Sequence, residues 1–181
     1  MRIISGKNKG RKLKTLEGMN TRPTADRVKE SLFNILNNKF IDSVVLDLFA
    51  GSGALGLEAL SRGANRCVFV DSSKEAIKII QENIKACRFD EQSTVLNMDY
   101  LVAMQKLTKQ KFDIIFVDPP YLNNIELVVL DKIKSLLLDD GILIIETDEK
   151  TLLPESINGL VKNDERKYGR TILHFYILKK I

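Results

Sequence analysis

The sequence predicts an α/β fold in which helices cover both faces of a mostly parallel, doubly wound β-sheet and an antiparallel hairpin ends the chain. Two observations carry this prediction. Apolar, strand-like segments alternate with helical segments from Ser43 onwards, which is typical of parallel sheets. After Leu160, two strand-like runs are instead joined around Gly169, as expected for an antiparallel hairpin added to that sheet.

The individual elements follow from the spacing of apolar residues. Helical spacing and short apolar runs alternate along the chain. Thr24 is the expected N-cap of the first helix, because Arg22 and Pro23 favour an extended entry. We also expect a turn over residues 139–141. The predicted helices are 24–36, 54–61, 73–86 and 126–138, and the predicted strands are 44–49, 67–70, 94–96, 114–117, 142–146, 160–168 and 171–178.

Length and composition indicate a globular protein of one domain. Of the 181 residues, 44% are apolar and 29% are charged, which excludes disorder as the main state. The longest apolar runs are far shorter than the roughly 20 residues of a membrane-spanning helix. The N-terminus lacks the apolar run of a secretory signal, so we expect a cytoplasmic protein. We predict a single domain over 1–181, with an N-terminal extension of hairpin and helix over 1–40 and the core over 41–181.

The cysteines and the single histidine are expected to be structural. Cys67 and Cys87 show neither C-x-x-C nor Cys/His spacing, so the sequence predicts inert thiols and no metal site. His174 lies in the last predicted strand.

Positive charge is concentrated at the start of the chain. Residues 1–30 contain nine basic and three acidic residues, a net charge of +6 in a chain whose total is +4. A phosphate-rich partner would favour such an arm, because neutralised phosphates release counterions. A solvated, flexible tail is the alternative.

A glycine-rich segment, Asp47 to Gly56, lies where the first strand ends and the next helix begins. Gly51, Gly53 and Gly56 match the spacing of the dinucleotide fingerprint, and Asp71 ends the following strand. Three interpretations compete: a nicotinamide or flavin nucleotide, S-adenosylmethionine, or a tight turn without ligand. Asp47 favours S-adenosylmethionine, because a carboxylate there would repel a pyrophosphate and attract an ammonium or sulfonium group.

Two further carboxylates extend this interpretation. Asp71 would accept hydrogen bonds from the ribose hydroxyls, and Asp99, after the third strand, could accept one from the adenine amino group. Both residues also stand where a helix N-cap is expected, so the capping alternative stays open for each.

The second motif is the tetrapeptide Asp118-Pro119-Pro120-Tyr121, which follows the fourth strand. Two prolines remove two N–H donors and stiffen the turn. The Asp118 carboxylate and the Pro119 carbonyl could accept both N–H groups of a nucleobase amine and aim its lone pair at a methyl donor. Tyr121 could stack on a base turned out of its helix. A strand-ending turn without chemistry is the alternative.

These residues resemble the S-adenosylmethionine-dependent amino-methyltransferases and, within them, the RsmD family of 16S ribosomal RNA guanine-N2 methyltransferases. The resemblance covers most of the chain and includes residues 2–6, 10–13, 22–33, 47–64 and the tetrapeptide. It implies a Rossmann-like methyltransferase fold. It also implies methylation of the N2 amine of the guanine that the family's name numbers 966, within the small ribosomal subunit or its assembly intermediate.

The resemblance also implies roles for particular residues, all of which are expectations here. The basic residues of the arm would contact the RNA backbone beside the active-site edge. Asp118, Pro119, Pro120 and Tyr121 would form the catalytic motif. The residues implied for the cofactor are Thr21, Arg22, Pro23, Thr24, Asp47, Phe49, Ala50, Gly51, Ser52, Gly53, Asp71, Asp99 and Tyr100, and those implied for RNA are Lys7, Lys9, Arg11, Lys12, Lys14, Arg22 and Arg27.

Other functions remain open at the level of sequence. A DNA adenine-N6 methyltransferase can use the same tetrapeptide, but it usually needs a target-reading domain for which 181 residues leave little room. A protein glutamine-N5 methyltransferase would more often carry Asn in place of Asp118. A nicotinamide-dependent oxidoreductase and a non-catalytic RNA-binding factor are the remaining alternatives.

Overall fold

A computed structural model of the chain describes residues 1–16, 23–120 and 124–180. Within these residues, five α-helices surround one eight-stranded sheet. The helices are α1 (Pro23–Leu36), α2 (Ala54–Ser61), α3 (Lys74–Cys87), α4 (Tyr100–Lys106) and α5 (Ile125–Lys132). Short 3₁₀ helices follow α1, α3 and α5. The strands are β1 (Val44–Asp47), β2 (Arg66–Asp71), β3 (Ser93–Asn97), β4 (Phe112–Val117), β5 (Leu137–Asp148), β6 (Ser156–Ile157), β7 (Leu160–Tyr168) and β8 (Thr171–Leu178).

The sheet has the strand order β3-β2-β1-β4-β5-β8-β7-β6. The five strands from β3 to β5 are parallel, and β8, β7 and β6 continue the sheet in antiparallel fashion. The predicted fold class, with its C-terminal antiparallel hairpin, is therefore confirmed. The strand order reverses between β1 and β4, and ligands of open α/β sheets bind outside the carboxyl ends of the strands at such a point.

Two apolar layers cover the sheet, because successive strand residues point to opposite faces. Val45 of β1 packs into one layer with residues of α1, α2 and α3, such as Phe33 and Leu57. Leu46, the next residue, packs into the other layer with residues of α4 and α5, such as Met104. The sheet is thus buried on both sides, and its open end is the carboxyl edge of the parallel strands.

The N-terminal residues form a docked hairpin. Residues 1–13, called the N-terminal hairpin below, are held by main-chain bonds from Ile3 N–H to Arg11 O (2.9 Å) and from Leu13 N–H to Met1 O (3.0 Å). Ile3 and Leu13 are buried in the layer that contains α1 to α3. The basic arm was expected either to bind a phosphate-rich partner or to be a solvated, flexible tail. The structure excludes the flexible tail for residues 1–16.

Some expectations about element boundaries are wrong, and one strand was not predicted. The helix predicted over 126–138 ends at Lys132 and is followed by a 3₁₀ helix, Ile133–Leu136. The turn predicted over 139–141 is an irregularity within β5, which widens the register opposite β4. Thr24 lies inside α1, which begins at Pro23, because proline fits the first helical position. Strand β6 was not predicted, since two residues show no periodicity.

No helix in the described part of the chain is long and apolar enough to cross a membrane.

Candidate active site at the carboxyl edge of the sheet

The glycine-rich loop between β1 and α2 opens towards the carboxyl edge. Gly51 and Gly53 have φ of +55° and +80°, which favours glycine because other residues are strained there. The direction in which Gly51 would carry a Cβ is open, with no described atom within 4 Å. A Cβ on Gly56 would instead lie 2.3 Å from Phe69 Cε1. Gly51 therefore borders free space, whereas Gly56 allows α2 to pack closely on β2.

Asp47, the last residue of β1, lies beneath this loop. Only 1% of its surface is exposed, and its carboxylate accepts a hydrogen bond from Gly56 N–H at 3.1 Å. Burial raises the pKa of Asp47 to about 7, the Gly56 bond opposes the shift, and the charges of Asp118 and Asp71 add to it. The Asp47 carboxylate is thus close enough to those of Asp118 and Asp71 to be repelled by each, and a bound cation would relieve that repulsion.

Asp71, the last residue of β2, fixes the position of the loop. Its carboxylate accepts hydrogen bonds from Gly51 N–H at 2.9 Å and from Ser73 N–H at 2.8 Å. The side chain that we expect at the ribose therefore lies next to the free space that borders Gly51.

Asp99 begins α4 as its N-cap, accepting a hydrogen bond from Leu101 N–H at 2.8 Å. The capping alternative is thus observed, and the exposed carboxylate still has a second oxygen. Beside it, the rings of Tyr100 and Phe49 lie 5.2 Å apart between centroids. These partly buried rings form an aromatic wall near the ends of β1 and β3.

Asp118 follows β4, directly beside the end of β1. The register pairs Asp47 with Phe116, so the two aspartates lie on neighbouring strands across the point where the strand order reverses. The Asp118 surface is accessible to solvent, yet the surrounding protein desolvates the carboxylate and raises its pKa to about 6. Pro119 is buried and Pro120 is exposed. An accessible carboxylate at this edge of the sheet can accept a hydrogen bond from a substrate amine.

The structure brings together most of the residues expected at the cofactor. Asp47, Gly51, Gly53, Asp71 and Asp118 share the carboxyl edge, flanked by the aromatic wall. Ala50 and Ser52 are buried parts of the same loop. Thr21, Arg22 and Tyr121 lie outside the described residues, and Pro23 and Thr24 are described only as the first residues of α1.

The structure corrects the expected position of the basic arm. The tip of the N-terminal hairpin does not lie beside the active-site edge, because Lys7 N–H donates to the carbonyl of Ser61 at 2.8 Å and the Asn8 amide donates to that of Cys87 at 3.1 Å. Ser61 and Cys87 are the last residues of α2 and α3, at the ends remote from the glycine-rich loop. Lys14 and Arg27 are exposed, and Lys14 forms an ion pair with Glu82 at 2.7 Å.

Two residues that sequence reasoning missed hold the hairpin and the loop in place. Glu58 is fully buried and accepts hydrogen bonds from the main-chain N–H groups of Ile4 and Ser5. Asn83 accepts from Lys14 N–H at 2.9 Å and donates to the Ser52 carbonyl at 2.9 Å. Each stands among the apolar residues of its helix, and this interruption is the signal that could have identified them.

Glu58 also pairs with two cations. Lys29 Nζ lies 3.3 Å and Arg62 Nε 2.8 Å from its carboxylate. Lys29 is only 5% exposed, and burial lowers its pKa. Lys29 is therefore part of the interior and adds nothing to the exposed positive charge of the arm.

Neither the single histidine nor a cluster of residues that bind metals forms a second site in the described part of the chain. His174 is buried, with Nε2 2.9 Å from Thr147 Oγ1. Among the described residues, no group of three or more His, Cys, Asp or Glu side chains could hold a metal ion.

Three features define a Rossmann-like methyltransferase. They are the strand order, the glycine-rich loop and the aspartates that end β1 and β2 and follow β4. The model of a family described as "Conserved hypothetical protein 95" matches residues 1–177. The chain belongs to this family, which confirms the resemblance to the RsmD family, and the class of S-adenosylmethionine-dependent methyltransferases is confirmed with it.

Individual relatives agree with this membership. The Bacillus subtilis protein YlbH is 41% identical over 180 residues, covering 97% of this chain and 98% of that protein. The ribosomal RNA small subunit methyltransferase D of Escherichia coli is 35% identical, covering 97% and 89%. The solved structure of yhhF from Escherichia coli is 32% identical and superimposes with a TM-score of 0.86, covering 99% and 98%.

Proposed function

We propose that the protein transfers a methyl group from S-adenosylmethionine to the exocyclic N2 amine of a guanine in 16S ribosomal RNA, at the position of the family's guanine 966. The observation that carries this proposal is the accessible Asp118 carboxylate, followed by two prolines, on the strand next to Asp47. Relatives named as ribosomal RNA small subunit methyltransferases, 35% and 36% identical, support RNA as the substrate.

The residues at the carboxyl edge fit the cofactor. S-adenosylmethionine carries an ammonium and a sulfonium group, and positive charge would stabilise the Asp47 carboxylate, which Asp118 and Asp71 repel. The open space beside Gly51 provides room. We assign Asp71 to the ribose and Asp99 to the adenine amine, and Phe49 and Tyr100 to the wall of the same pocket. The resemblance further implies that Thr21 to Thr24 close over the methionine end of the cofactor, and we propose this role for them.

The cofactor, when bound, supplies an electrophilic methyl group. Asp118 and the carbonyl of Pro119 accept the two N–H groups of the guanine amine, which directs the nitrogen lone pair away from the ring. As positive charge develops on that nitrogen, the Asp118 carboxylate stabilises it more strongly than in the ground state. Pro119 and Pro120 have no N–H group that would compete for the carboxylate. Tyr121 is predicted to stack on the base.

Asp118 also gives the reaction a pH dependence. Because desolvation raises its pKa to about 6, the carboxylate is mostly ionised at neutral pH and gains a proton as the pH falls through about 6. A protonated Asp118 donates a hydrogen bond where an acceptor is needed. We therefore expect methyl transfer to fall near pH 6, well above the ordinary pKa of an aspartate.

Two other assignments depend on the same function. We propose a cytoplasmic location and the small ribosomal subunit, or an intermediate of its assembly, as the partner, since the substrate occurs there. The alternative of a DNA adenine-N6 methyltransferase is not favoured, because the relatives are named for ribosomal RNA.

The experiment measures transfer of labelled methyl to unmodified small ribosomal subunits, naked 16S ribosomal RNA and duplex DNA, followed by nucleoside analysis. We expect N2-methylguanosine from ribosomal RNA. Asp118→Asn should lower kcat by about 100-fold or more while cofactor binding is retained. Asp140→Asn, which removes an exposed carboxylate paired with Lys180, is the matched control. Label in N6-methyladenine, or full activity of Asp118→Asn, would contradict the proposal.

A further inference from the structure

The exposed cations of the N-terminal hairpin form a group at the end of the molecule opposite the active-site edge. Asn8 contacts both helix ends there, through Ser61 Oγ at 3.0 Å and the Cys87 carbonyl at 3.1 Å. Helix α2 begins directly after the glycine-rich loop and ends at Ser61. Its eight residues span about 12 Å at about 1.5 Å per residue. The main chain at the hairpin tip therefore lies about that far from the cofactor loop.

The tip is concave and lacks compensating negative charge. Lys7, Asn8, Lys9, Arg11 and Lys12 line a depression of about 450 Å³. In the part of the chain that the structure describes, none of these four cations lies within ion-pair distance of a carboxylate. Arg11 Nε instead donates to Asn8 Oδ1 at 3.2 Å. Such a depression is complementary to a polyanion.

The position of the tip is fixed relative to the active site. Glu58 binds the main chain of Ile4 and Ser5, and Gly6 packs so closely on α2 that a Cβ there would lie 1.8 Å from the Ser61 carbonyl oxygen. Asn83 joins Lys14, just beyond the hairpin, to the glycine-rich loop. The main chain that carries the four cations is therefore held in place relative to α2 and the glycine-rich loop.

We propose that this tip is a remote anchor for the phosphate backbone of the substrate RNA, occupied while the target guanine is at Asp118. This inference rests on the proposed function. Phosphates follow one another at about 3.4 Å along a stacked strand, so 12 Å corresponds to about four nucleotides or more. A contact that far from the reacting nitrogen would stabilise the bound ground state and the transition state equally.

If the tip is an anchor, the contribution of the four cations to kcat/KM depends on the length of the substrate RNA. We would compare kcat/KM for two RNAs with the same target guanine, one with about two flanking nucleotides on each side and one extended by about 15 on each side. Lys7→Gln/Lys9→Gln/Arg11→Gln/Lys12→Gln should lose about tenfold or more on the long RNA, mainly through KM. The loss on the short RNA should stay below about twofold.

The control variant is Arg166→Gln/Lys167→Gln/Arg170→Gln/Lys180→Gln, which removes the same charge from the other end of the sequence and should not distinguish the two RNAs. An equal loss of kcat/KM on both RNAs, or none on either, would overturn the anchor. A loss in kcat alone would do so as well. If the wild-type protein methylates neither these RNAs nor unmodified small ribosomal subunits, the proposed function fails. Titration of the long RNA by fluorescence anisotropy then decides the anchor, and undiminished affinity of the fourfold tip variant overturns it.

Discussion

The two hairpins at the ends of the chain carry similar numbers of cations but use them differently. In the N-terminal hairpin, the side chains of Lys7, Lys9, Arg11 and Lys12 face solvent without carboxylate partners among the described residues. In the hairpin of β7 and β8, most cations are paired. The pairs are Lys162 with Glu155 and Glu165, Arg166 with Asp164, and Lys167 with Glu149. Local pairing, more than the number of basic residues, therefore decides whether a surface can attract an anion.

The hairpins also differ in how they are attached. The C-terminal hairpin continues the main sheet through β8, which pairs with β5 from Leu143 to Asp148. The N-terminal hairpin has no such ladder to the sheet in the described structure. Its main chain is bound by side chains of α1 and α2, because Lys29 Nζ donates to Arg2 O and Glu58 accepts from the N–H groups of Ile4 and Ser5. The position of the N-terminal hairpin therefore depends on one buried carboxylate, that of Glu58, whereas the position of the C-terminal hairpin depends on main-chain pairing with β5.

Removal of the Glu58 carboxylate tests this difference in attachment. Glu58→Ala leaves Lys29 buried without its partner and leaves two main-chain N–H groups without acceptors, so we expect a loss of about 3–5 kcal/mol in the free energy of unfolding. Glu149→Ala, which breaks the exposed pair with Lys167, should cost less than about 1 kcal/mol. Denaturant titrations measure both, and equal losses would remove the distinction between the two attachments.

The second effect tests the difference in pairing. Lys9→Gln/Arg11→Gln/Lys12→Gln should weaken RNA binding and reduce the slope of log K against log salt by about 2, since each phosphate contact contributes about 0.7 for single strands. The matched variant Arg166→Gln/Lys167→Gln/Lys180→Gln removes three cations that already have carboxylate partners and should leave the slope nearly unchanged. Binding titrations at several salt concentrations measure the slopes. Identical slopes for the two variants would show that pairing has no influence.

The smallest effect concerns the pH response of the C-terminal hairpin. His174 lies between Thr147 and Glu165, and burial lowers its pKa, an effect that Glu165 opposes and Lys162 reinforces. Its Nδ1 is 3.0 Å from Glu165 Oε2 but lacks hydrogen-bond geometry. A lowered histidine pKa means that the unfolded chain takes up the proton first, so stability falls as the pH drops below about 6.5.

The measurement compares unfolding free energies of wild-type protein and His174→Gln between pH 7.5 and 5. Relative to the variant, the wild type should lose at most about 1.4 kcal/mol per pH unit, the limit for one proton. The contribution of Asp47 to the pH dependence of stability has the opposite sign, because its raised pKa favours the folded state as the pH falls from about 7 towards 4. Asp47 is present in both proteins, so the difference isolates His174, and parallel pH curves would exclude its contribution.

The sequence allowed the sheet and its carboxyl edge to be predicted because both depend on local patterns. The alternation of strands and helices, and glycines or aspartates directly after strands, place Gly51, Asp71 and Asp118 on one edge by topology alone. The irregularity of β5 could not be predicted, since Asp139, Asp140 and Gly141 are equally typical of a turn. Which of the two is formed depends on pairing with β4, a partner distant in sequence.

The docking of the hairpin was missed for a related reason. Glu58 and Asn83 act through main-chain groups more than 50 residues away, and no periodicity in a single sequence records such a contact. The roles of Asp71 and Asp99 were left between ligand binding and capping. In the structure Asp99 caps α4 and Asp71 binds the glycine-rich loop, while their assignment to the cofactor remains a proposal.

The attachment of the N-terminal hairpin has a consequence for biosynthesis. The hairpin is synthesised before α2 and α3, but the groups that accept from Ile4 N–H, Lys14 N–H and the Asn8 amide belong to Glu58, Asn83 and Cys87, which are made about 70 residues later. At roughly 5–20 residues per second, the delay is about 4–14 s. During that interval the most basic part of the nascent chain is free, close to a ribosome made largely of RNA, and its incorporation into the fold must wait for α3.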